Sequence, residues 1–440
     1  MGQLAIPDHP NRYRLANELH ARPFPEIEAP CRAAHLAIKQ PVNAADRDKG
    51  RDLAHLIALL DRYGAPHPPP GANHYSGSIG RALLKWEMHT EFVTYTLFAE
   101  DVAERPFSGG LFDLFPSDWL AEAPGALVTS CIVRVESVVP EAVAARLEGD
   151  AARWFVAESL AVARVVDGEA VIAADFRIDE NGNSRMAVFA RPGISRRRLG
   201  RIVQRLLEIE TYKAMSMLTL PTARAVATAV ARLDRELSEV VAAMAAEGGG
   251  EADTLDRLLK MAAEIEYLAS TAAFRFGAAG AYEAIVNQRI QVLREERVGG
   301  RQLFSEFMTR RYDPAMRTCR SAKERLDELS ARAERASDLL RTRVDVANQA
   351  QNVEVLRAMD KRAALQLRLQ ETVEGLSVVA ISYYAVNLAA GVLAPLGERA
   401  GWSKAAVLAA LTPPVVAVVW LMVRRIRSRI AARHGHEPGG

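Results

Sequence analysis

The sequence predicts an α+β cytoplasmic domain followed by long helices and a C-terminal two-helix transmembrane hairpin. Three observations carry this. Gly375–Leu396 and Ala405–Val423 are uncharged runs of 22 and 19 residues, each near the roughly 20 apolar residues that cross a bilayer core as helix. Ala315–Glu374 contains neither Pro nor Gly, so nothing in it breaks a helix. Residues 1–192 instead carry β-branched and aromatic runs broken by turn residues.

Only Gly397–Lys404 separates the two apolar runs. The alternatives to spanning are a pair of buried core helices and a hairpin that dips into one leaflet. The flanking charges favour spanning. Arg424, Arg425, Arg427, Arg429 and Arg433 follow the second run, and Arg357, Lys361, Arg362 and Arg368 precede the first, whereas the connecting loop holds Arg399 and Lys404 with Glu398. Lys and Arg near span ends stay on the cytoplasmic side. Both termini are therefore expected in the cytoplasm and the short loop outside. The resulting organisation is an α/β domain at 1–192, a long-helix or stalk region at 193–374, the hairpin at 375–423 and a basic tail at 424–440.

A net charge of +2 offers no footprint for nucleic acid. Membrane lipid is the expected partner, and protein partners are not legible. Met1–Pro10 has no basic or apolar signal region, predicting no signal peptide. Cys31, Cys131 and Cys319 lie far apart, with no zinc spacing. They read as small buried residues.

In chain order, Asn11–Arg22 reads as a short helix stopped by Pro23 and Pro25, and Cys31–Lys39 as a strand. Ala44–Tyr63 reads as a helix with Leu53, Leu56, Ile57 and Leu60 on one face. Gly64–Gly80, with Pro66 and Pro68–Pro70, reads as a loop. Arg81–Phe98 reads as one long strand or a hairpin, and Leu127–Val138 as a strand. Phe155–Val166, Ala170–Ile178 and Arg185–Ala190 read as an antiparallel set, the last two joined at Asn181-Gly182-Asn183. Ser195 is positioned to cap a helix from Arg196, which Pro221 kinks or interrupts and Gly248–Gly250 end. A second helix runs from Ala252 to Arg297, weakened at Gly277 and Gly280. Gly299, Gly300 and Pro314 precede the longest helix. Along that helix Cys319, Ala322, Leu326, Leu329, Ala333, Ala336 and Leu340 recur at alternating three and four, a coiled-coil-like seam of small residues. Asn348, Gln349, Gln351 and Asn352 interrupt it, as a solvated segment or as a polar ring in an assembly.

The first span continues the same spacing through Ser377, Ala380, Tyr384, Asn387, Gly391 and Ala394. An amide in mid-membrane needs partners because lipid offers none. This face therefore either packs against another helix or lines a pore in a homo-oligomer. Pro413-Pro414 in the second span is compatible with a kinked membrane helix.

Seven of the nine histidines fall within the first 89 residues. Lys85, Glu87, His89 and Glu91 alternate with Trp86, Met88 and Phe92. A strand would therefore set Glu87, His89 and Glu91 on one face, either as candidate metal ligands or as its wet side. His9, Glu18 and His20 form a similar set. Arg196, Arg197, Arg198, Arg201 and Arg205 crowd a helix start, where cations oppose the helix dipole. Acidic partners within the fold, anionic lipid or a phosphate ligand can compensate them. No Walker A loop, H-E-x-x-H, G-x-S-x-G or G-x-G-x-x-G is present, so no enzymatic activity is expected.

His9-Pro10, Arg12 and Leu15-Ala16-Asn17-Glu18-Leu19-His20-Ala21-Arg22-Pro23 resemble the opening signature of a bacterial family of uncharacterised membrane-anchored proteins. Trp86–Phe92, Glu374–Ser377 and Tyr383-Tyr384 fit it too. The resemblance implies anchoring, with the bacterial inner membrane as the location and several passes through it. The overall plan also resembles the CorA-type magnesium channel superfamily, whose members are homopentamers with the first span lining the pore. Of that superfamily's outer-end signature only the Tyr384 and Asn387 positions carry over, and the loop has one acid, Glu398. The plan implies a homo-oligomer that moves a cation. The alternative is a membrane-anchored binding or scaffold protein without transport. No cofactor is firmly implied, and a divalent cation is compatible with the plan.

Overall fold

Nine strands form one mixed sheet in the computed structural model, which describes residues 6–18, 23–41, 47–245, 251–399, 401 and 403–434. The strands are β1 (Cys31–Lys39), β2 (His74–Ile79), β3 (Ala82–Met88), β4 (Phe92–Ala99), β5 (Ala126–Ser137), β6 (Ala161–Val165), β7 (Ala170–Ile178), β8 (Ser184–Ala190) and β9 (Glu296–Arg297). Their order is β2-β3-β4-β1-β5-β8-β7-β6-β9. Only β5 and β8 pair in parallel. The helices are α1 (Arg12–Glu18), α2 (Lys49–Arg62), α3 (Ser117–Ala121), α4 (Val143–Arg146), α5 (Ala152–Trp154), α6 (Arg196–Met217), α7 (Thr219–Ala245), α8 (Glu251–Leu293), α9 (Phe304–Arg311), α10 (Asp313–Arg399) and α11 (Lys404–His434). The chain is thus an α+β fold with its sheet toward the N-terminus and long helices toward the C-terminus.

β1 is central and buried at every residue, the mark of a strand covered on both faces. Its even positions, Ala34, Leu36 and Ile38, join Leu84, Trp86, Tyr95 and Leu97 in a core beneath Leu56, Leu59 and Leu60 of α2 and Trp119 of α3. His55 locks this layer. Its Nε2 lies 3.0 Å from the Trp119 carbonyl and its Nδ1 2.9 Å from the Tyr95 hydroxyl, while the Trp119 indole donates to the His55 carbonyl at 2.8 Å. Odd positions of β1 face α6, where His35 reaches Thr211.

Several sequence expectations need correction. Gly64–Gly80 is not all loop, because β2 pairs with β3 as an edge strand. Its flanking prolines and Gly77 hid a short alternation with Tyr75 and Ile79 inward. Arg81–Phe98 is a hairpin. Phe155–Leu160 lies outside β6, after short helical turns. α8 is one helix through Gly277 and Gly280, as expected, and ends at Leu293 rather than Arg297. Packing on α6 and α7 overrides a glycine penalty of about 1 kcal/mol per residue. The break expected near Pro221 falls at Leu218, so Pro221 sits in the first turn of α7, where its missing N–H costs nothing. Ser195 caps α6 as expected, its side chain accepting from the Arg198 N–H. The Gly248–Gly250 break lies outside the described residues.

The chain divides into two units, Met1–Ser337 and Asp338–Gly440. In the first, the seam from Cys319 through Ala336 is buried. Arg320 pairs with Glu283 of α8 at 2.9 Å and Arg332 with Asp234 of α7. In the second unit, residues 345–373 of α10 are exposed throughout. Farther on, Ser382, Val386 and Ala390 are buried, and α11 returns beside α10, with Trp420 and Val423 near Gly375 and Val378. Among the described residues, three helical stretches are by length and composition apolar and long enough to cross a membrane: Arg196–Met244, Asp313–Leu393 and Lys404–Ile426.

Gly200 sets how closely α6 approaches the rest of the first unit. A Cβ there would lie 1.7 Å from the Pro25 carbonyl oxygen, so even one methyl forces the backbones apart. Gly200→Ala is expected to destabilise the fold by about 1–3 kcal/mol, read as a lowered denaturant midpoint at unchanged slope.

Candidate functional site

The hairpin alternation that sends Leu84, Trp86, Tyr95 and Leu97 into the apolar core sends Lys85, Glu87, Thr94 and Thr96 to the opposite face. There they meet α6. A cavity of about 260 Å³ lies between them, lined by these four residues together with His35, His89, Gln204, Glu208, Thr211, Tyr212 and Arg289. This is the candidate site, a polar layer held beneath a helix.

Its groups are joined in a chain. Lys85 Nζ donates to Gln204 Oε1 at 2.9 Å and lies 3.2 Å from a Glu87 oxygen. Gln204 Nε2 donates to Glu208 at 2.8 Å, and Glu208 pairs with Arg289 of α8. On the floor, His35 sits between two hydroxyls, with Nδ1 2.8 Å from Thr96 Oγ1 and Nε2 2.9 Å from Thr211 Oγ1. Thr211 already donates to the Leu207 carbonyl. It must therefore accept from His35 Nε2–H, which leaves Nδ1 to accept from Thr96. Burial, with Lys85 nearby, pushes the His35 imidazole down to about 3, so the ring is neutral near pH 7.

The turn joining β3 to β4 closes one end of the site. Arg47 grips it from outside, donating to the His89 carbonyl at 2.8 Å, the Phe92 carbonyl at 3.1 Å and the Thr90 carbonyl, while its Nε pairs with Asp52 at 2.7 Å. Glu91 is wholly buried. Its carboxylate receives Arg275 at 2.6 Å, Lys39 at 3.1 Å and the Tyr282 hydroxyl at 2.8 Å. His89 stacks on Phe92 at 4.2 Å, with Tyr212 edge-on. His89 and Tyr212 also line a second cavity of about 780 Å³.

The expectation that Glu87, His89 and Glu91 share one strand face is corrected. β3 ends at Met88, the chain turns through His89, and Glu91 points into the ion cluster. Glu87 and His89 line the cavity together, without Glu91. Among the described residues, no group of three or more His, Cys, Asp or Glu is arranged to hold a metal ion. His9 accepts from the Asn11 N–H, and His20 lies outside the described residues. The arginine run is largely compensated within the fold. Arg196 pairs with Glu100, Arg197 with Glu26 and Arg198 with Glu169.

Near the C-terminal end of α10, Tyr384, Asn387 and Gly391 are exposed and Ser377 is half-buried. Asn387 Nδ2 donates to the Tyr383 carbonyl one turn back at 2.9 Å. The residues buried instead are Ser382, Val386 and Ala390. Sequence reasoning missed His35, Gln204, Thr211 and Arg289 as members of the cavity. Only the alternation of β1 marks His35, which falls on the face opposite Leu36.

His35 gives the site a pH dependence. Between pH 3 and 6.5 the unfolded chain holds a proton on this ring that the folded chain does not, so stability rises with pH across that window and is lost on acidification. From pH 7 to pH 5 the wild type should lose about 2 kcal/mol more than His35→Asn. Denaturant titrations at the two pH values measure the difference.

The chain belongs to the family described as protein of unknown function DUF3422, whose model matches residues 7–430. No curated protein and no solved structure matches it.

Proposed function

We propose that this DUF3422 member is a membrane-anchored binding protein whose site is the polar cavity under α6, with the C-terminal helices serving as its transmembrane hairpin. The observation that carries this reading is the gathering of the buried Lys85 and the half-buried Glu87, Gln204, Glu208 and Arg289 around one cavity. Folding them there costs desolvation that an apolar layer would avoid. They present both donors and acceptors, with two cationic and two anionic side chains. A small polar solute carrying groups of both signs complements them. Catalysis is disfavoured by the same geometry. The one nucleophile–base pair in the cavity is Thr96 with His35, and a ring pushed down to about 3 is a poor proton acceptor at neutral pH.

The test is a thermal-shift screen of small zwitterionic and hydroxylated solutes against the full chain in detergent. A stabilising solute should lose its effect, with at least about tenfold weaker binding, in Lys85→Met. A screen without hits, or hits indifferent to Lys85→Met, counts against the reading.

A second reading, the CorA-like homo-oligomeric cation channel, is favoured by one specific observation. Tyr384, Asn387 and Gly391 are exposed on the helix, while Ser382, Val386 and Ala390 are buried. That polar face is free to line a path in a ring of copies. The exposed Val346, Val353 and Leu356 of α10 supply apolar surface for the same assembly. In it both termini are cytoplasmic, in the bacterial inner membrane, and the permeant ion is a divalent cation. Mass measurement in nanodiscs with cation flux in liposomes tests it. A defined ring whose flux changes in Asn387→Ala supports conduction, and a monomer or dimer without flux leaves the hairpin as an anchor.

A further inference from the structure

We propose that a third cavity, between α6 and the C-terminal end of α8, binds a phosphate-bearing anion carrying at least two negative charges. This site is separate from the one under α6 and takes a ligand of different chemistry. It measures about 370 Å³ and is lined by Arg198, Arg201, Arg205 and Arg294 with Val166 and Val292. No acidic residue is among the described lining residues.

The arrangement follows from helix geometry. Arg198, Arg201 and Arg205 stand at i, i+3 and i+7 on α6, and so on one face. Arg294 directly follows α8. Two of the four guanidinium groups are answered within the fold, Arg198 by Glu169 at 2.7 Å and Arg294 by Asp167 at 2.5 Å. Arg205 donates to the Val292 carbonyl at 3.2 Å, a neutral acceptor. Arg201 has no side-chain partner among the described residues. Among the described residues, neither Arg201 nor Arg205 is therefore ion-paired with a carboxylate on this cavity wall. The half-buried Arg205 has its pKa lowered by burial and by the like charges of Arg201, Arg289 and Arg294, which outweigh the opposing charge of Glu208.

The backbone around the cavity is held in a costly shape. Val166, Asp167 and Arg294 have φ of 52°, 59° and 50°, a left-handed conformation that a β-branched valine rarely adopts. The Val166 N–H donates to the Leu293 carbonyl at 2.8 Å, which joins the β6–β7 turn to the end of α8. That join brings Asp167 and Arg294 together at the rim.

Guanidinium groups bind phosphate through paired parallel N–H···O bonds, which favours arginine over lysine for such a ligand. The volume exceeds that of a single phosphate and suits a diphosphate or a phosphate ester. The source is either a soluble phosphate compound or a phospholipid headgroup.

The experiment uses the full chain in nanodiscs of zwitterionic lipid, titrated calorimetrically with inorganic pyrophosphate at constant ionic strength. Saturable binding at one site is expected. Arg201→Ala should weaken it by about tenfold or more, and Arg201→Lys by less. Arg201 is exposed, so both variants should melt as the wild type does. A second arm replaces part of the lipid with phosphatidate. Loss of pyrophosphate binding there identifies a headgroup as the occupant, and unchanged binding identifies a soluble one. Absence of saturable pyrophosphate binding in zwitterionic discs overturns the proposal. So does an equal response to chloride, or Arg201→Ala binding as tightly as the wild type.

Discussion

The first unit depends on one buried carboxylate. Glu91 lies at the tip of the β3–β4 hairpin with no solvent exposure, and two cations and a tyrosine hydroxyl converge on it from β1 and α8. A carboxylate in that position is tolerable only because Lys39, Arg275 and Tyr282 replace its water. Stripping one member from such a cluster leaves an uncompensated buried charge, at a cost of about 3–5 kcal/mol. Arg275 does more than neutralise. Its other amino group donates to the Met215 carbonyl at 3.0 Å and lies 3.4 Å from the Thr219 hydroxyl, spanning the break between α6 and α7. The ion cluster therefore ties the hairpin tip to the end of the helix that covers the cavity. Arg47 fixes the same turn through its carbonyls, so both faces of the tip are held.

This anchoring explains how one sheet carries two unlike interiors. On the α2 side, the β1, β3 and β4 side chains are apolar and pack against leucines and Trp119. On the α6 side they include His35, Lys85, Glu87, Thr94 and Thr96 beside Ala37 and Phe92, so α6 covers a face that is polar in part. The end of α6 is held by Arg275, and Gly200 permits close contact with Pro25 near its start. Leu199, Ile202, Val203 and Leu206 supply its buried apolar surface. With its cover fixed by other contacts, the polar layer keeps an open volume between fully bonded groups. That is the condition for a preorganised binding site.

The parts of the fold that were legible in the sequence are those governed by local rules. β1 and β7 fall on the residues their alternation marks, Ser195 caps where its side chain can reach an N–H, and the small-residue seam from Cys319 to Ala336 is buried throughout. What escaped was set by contacts distant in sequence. β2 is a strand because β3 lies beside it, and α8 stays helical through its exposed glycines because other residues of that helix pack on α6 and α7. The segment Trp86–Phe92 shows the limit most clearly. Its period of two holds to Met88 and assigns Trp86 and Glu87 to opposite faces. The turn then takes Glu91 to Arg275, 184 residues away, and no local pattern announces that partner. The cavity was half visible for the same reason. Lys85, Glu87 and His89 stood out as a polar strand, while Gln204, Thr211 and Arg289 join them only through the packing of α6 and α8.

Burial separates three helices that composition alone treats alike. The most apolar stretch within Arg196–Met244 has 33% of its residues buried, against 17% in Asp313–Leu393 and 11% in Lys404–Ile426. The first is apolar because a sheet and neighbouring helices cover it. The other two carry Leu376, Val379, Leu388, Val392, Val418 and Leu421 exposed, with charges gathered beyond their ends. Side chains of this kind left in water would forfeit about 1.5–3 kcal/mol each relative to burial. Protein in the second unit covers few of them, so another apolar medium has to. In the proposed reading that medium is a bilayer, which has the right thickness and would also constrain Asn387. In water its amide has no need of the Tyr383 carbonyl, but in lipid that bond one turn back satisfies one donor and leaves the rest of the amide for a neighbouring helix or a water path. Within the proposed membrane reading, anchor and pore differ in which of these completes the hydrogen bonding of one side chain.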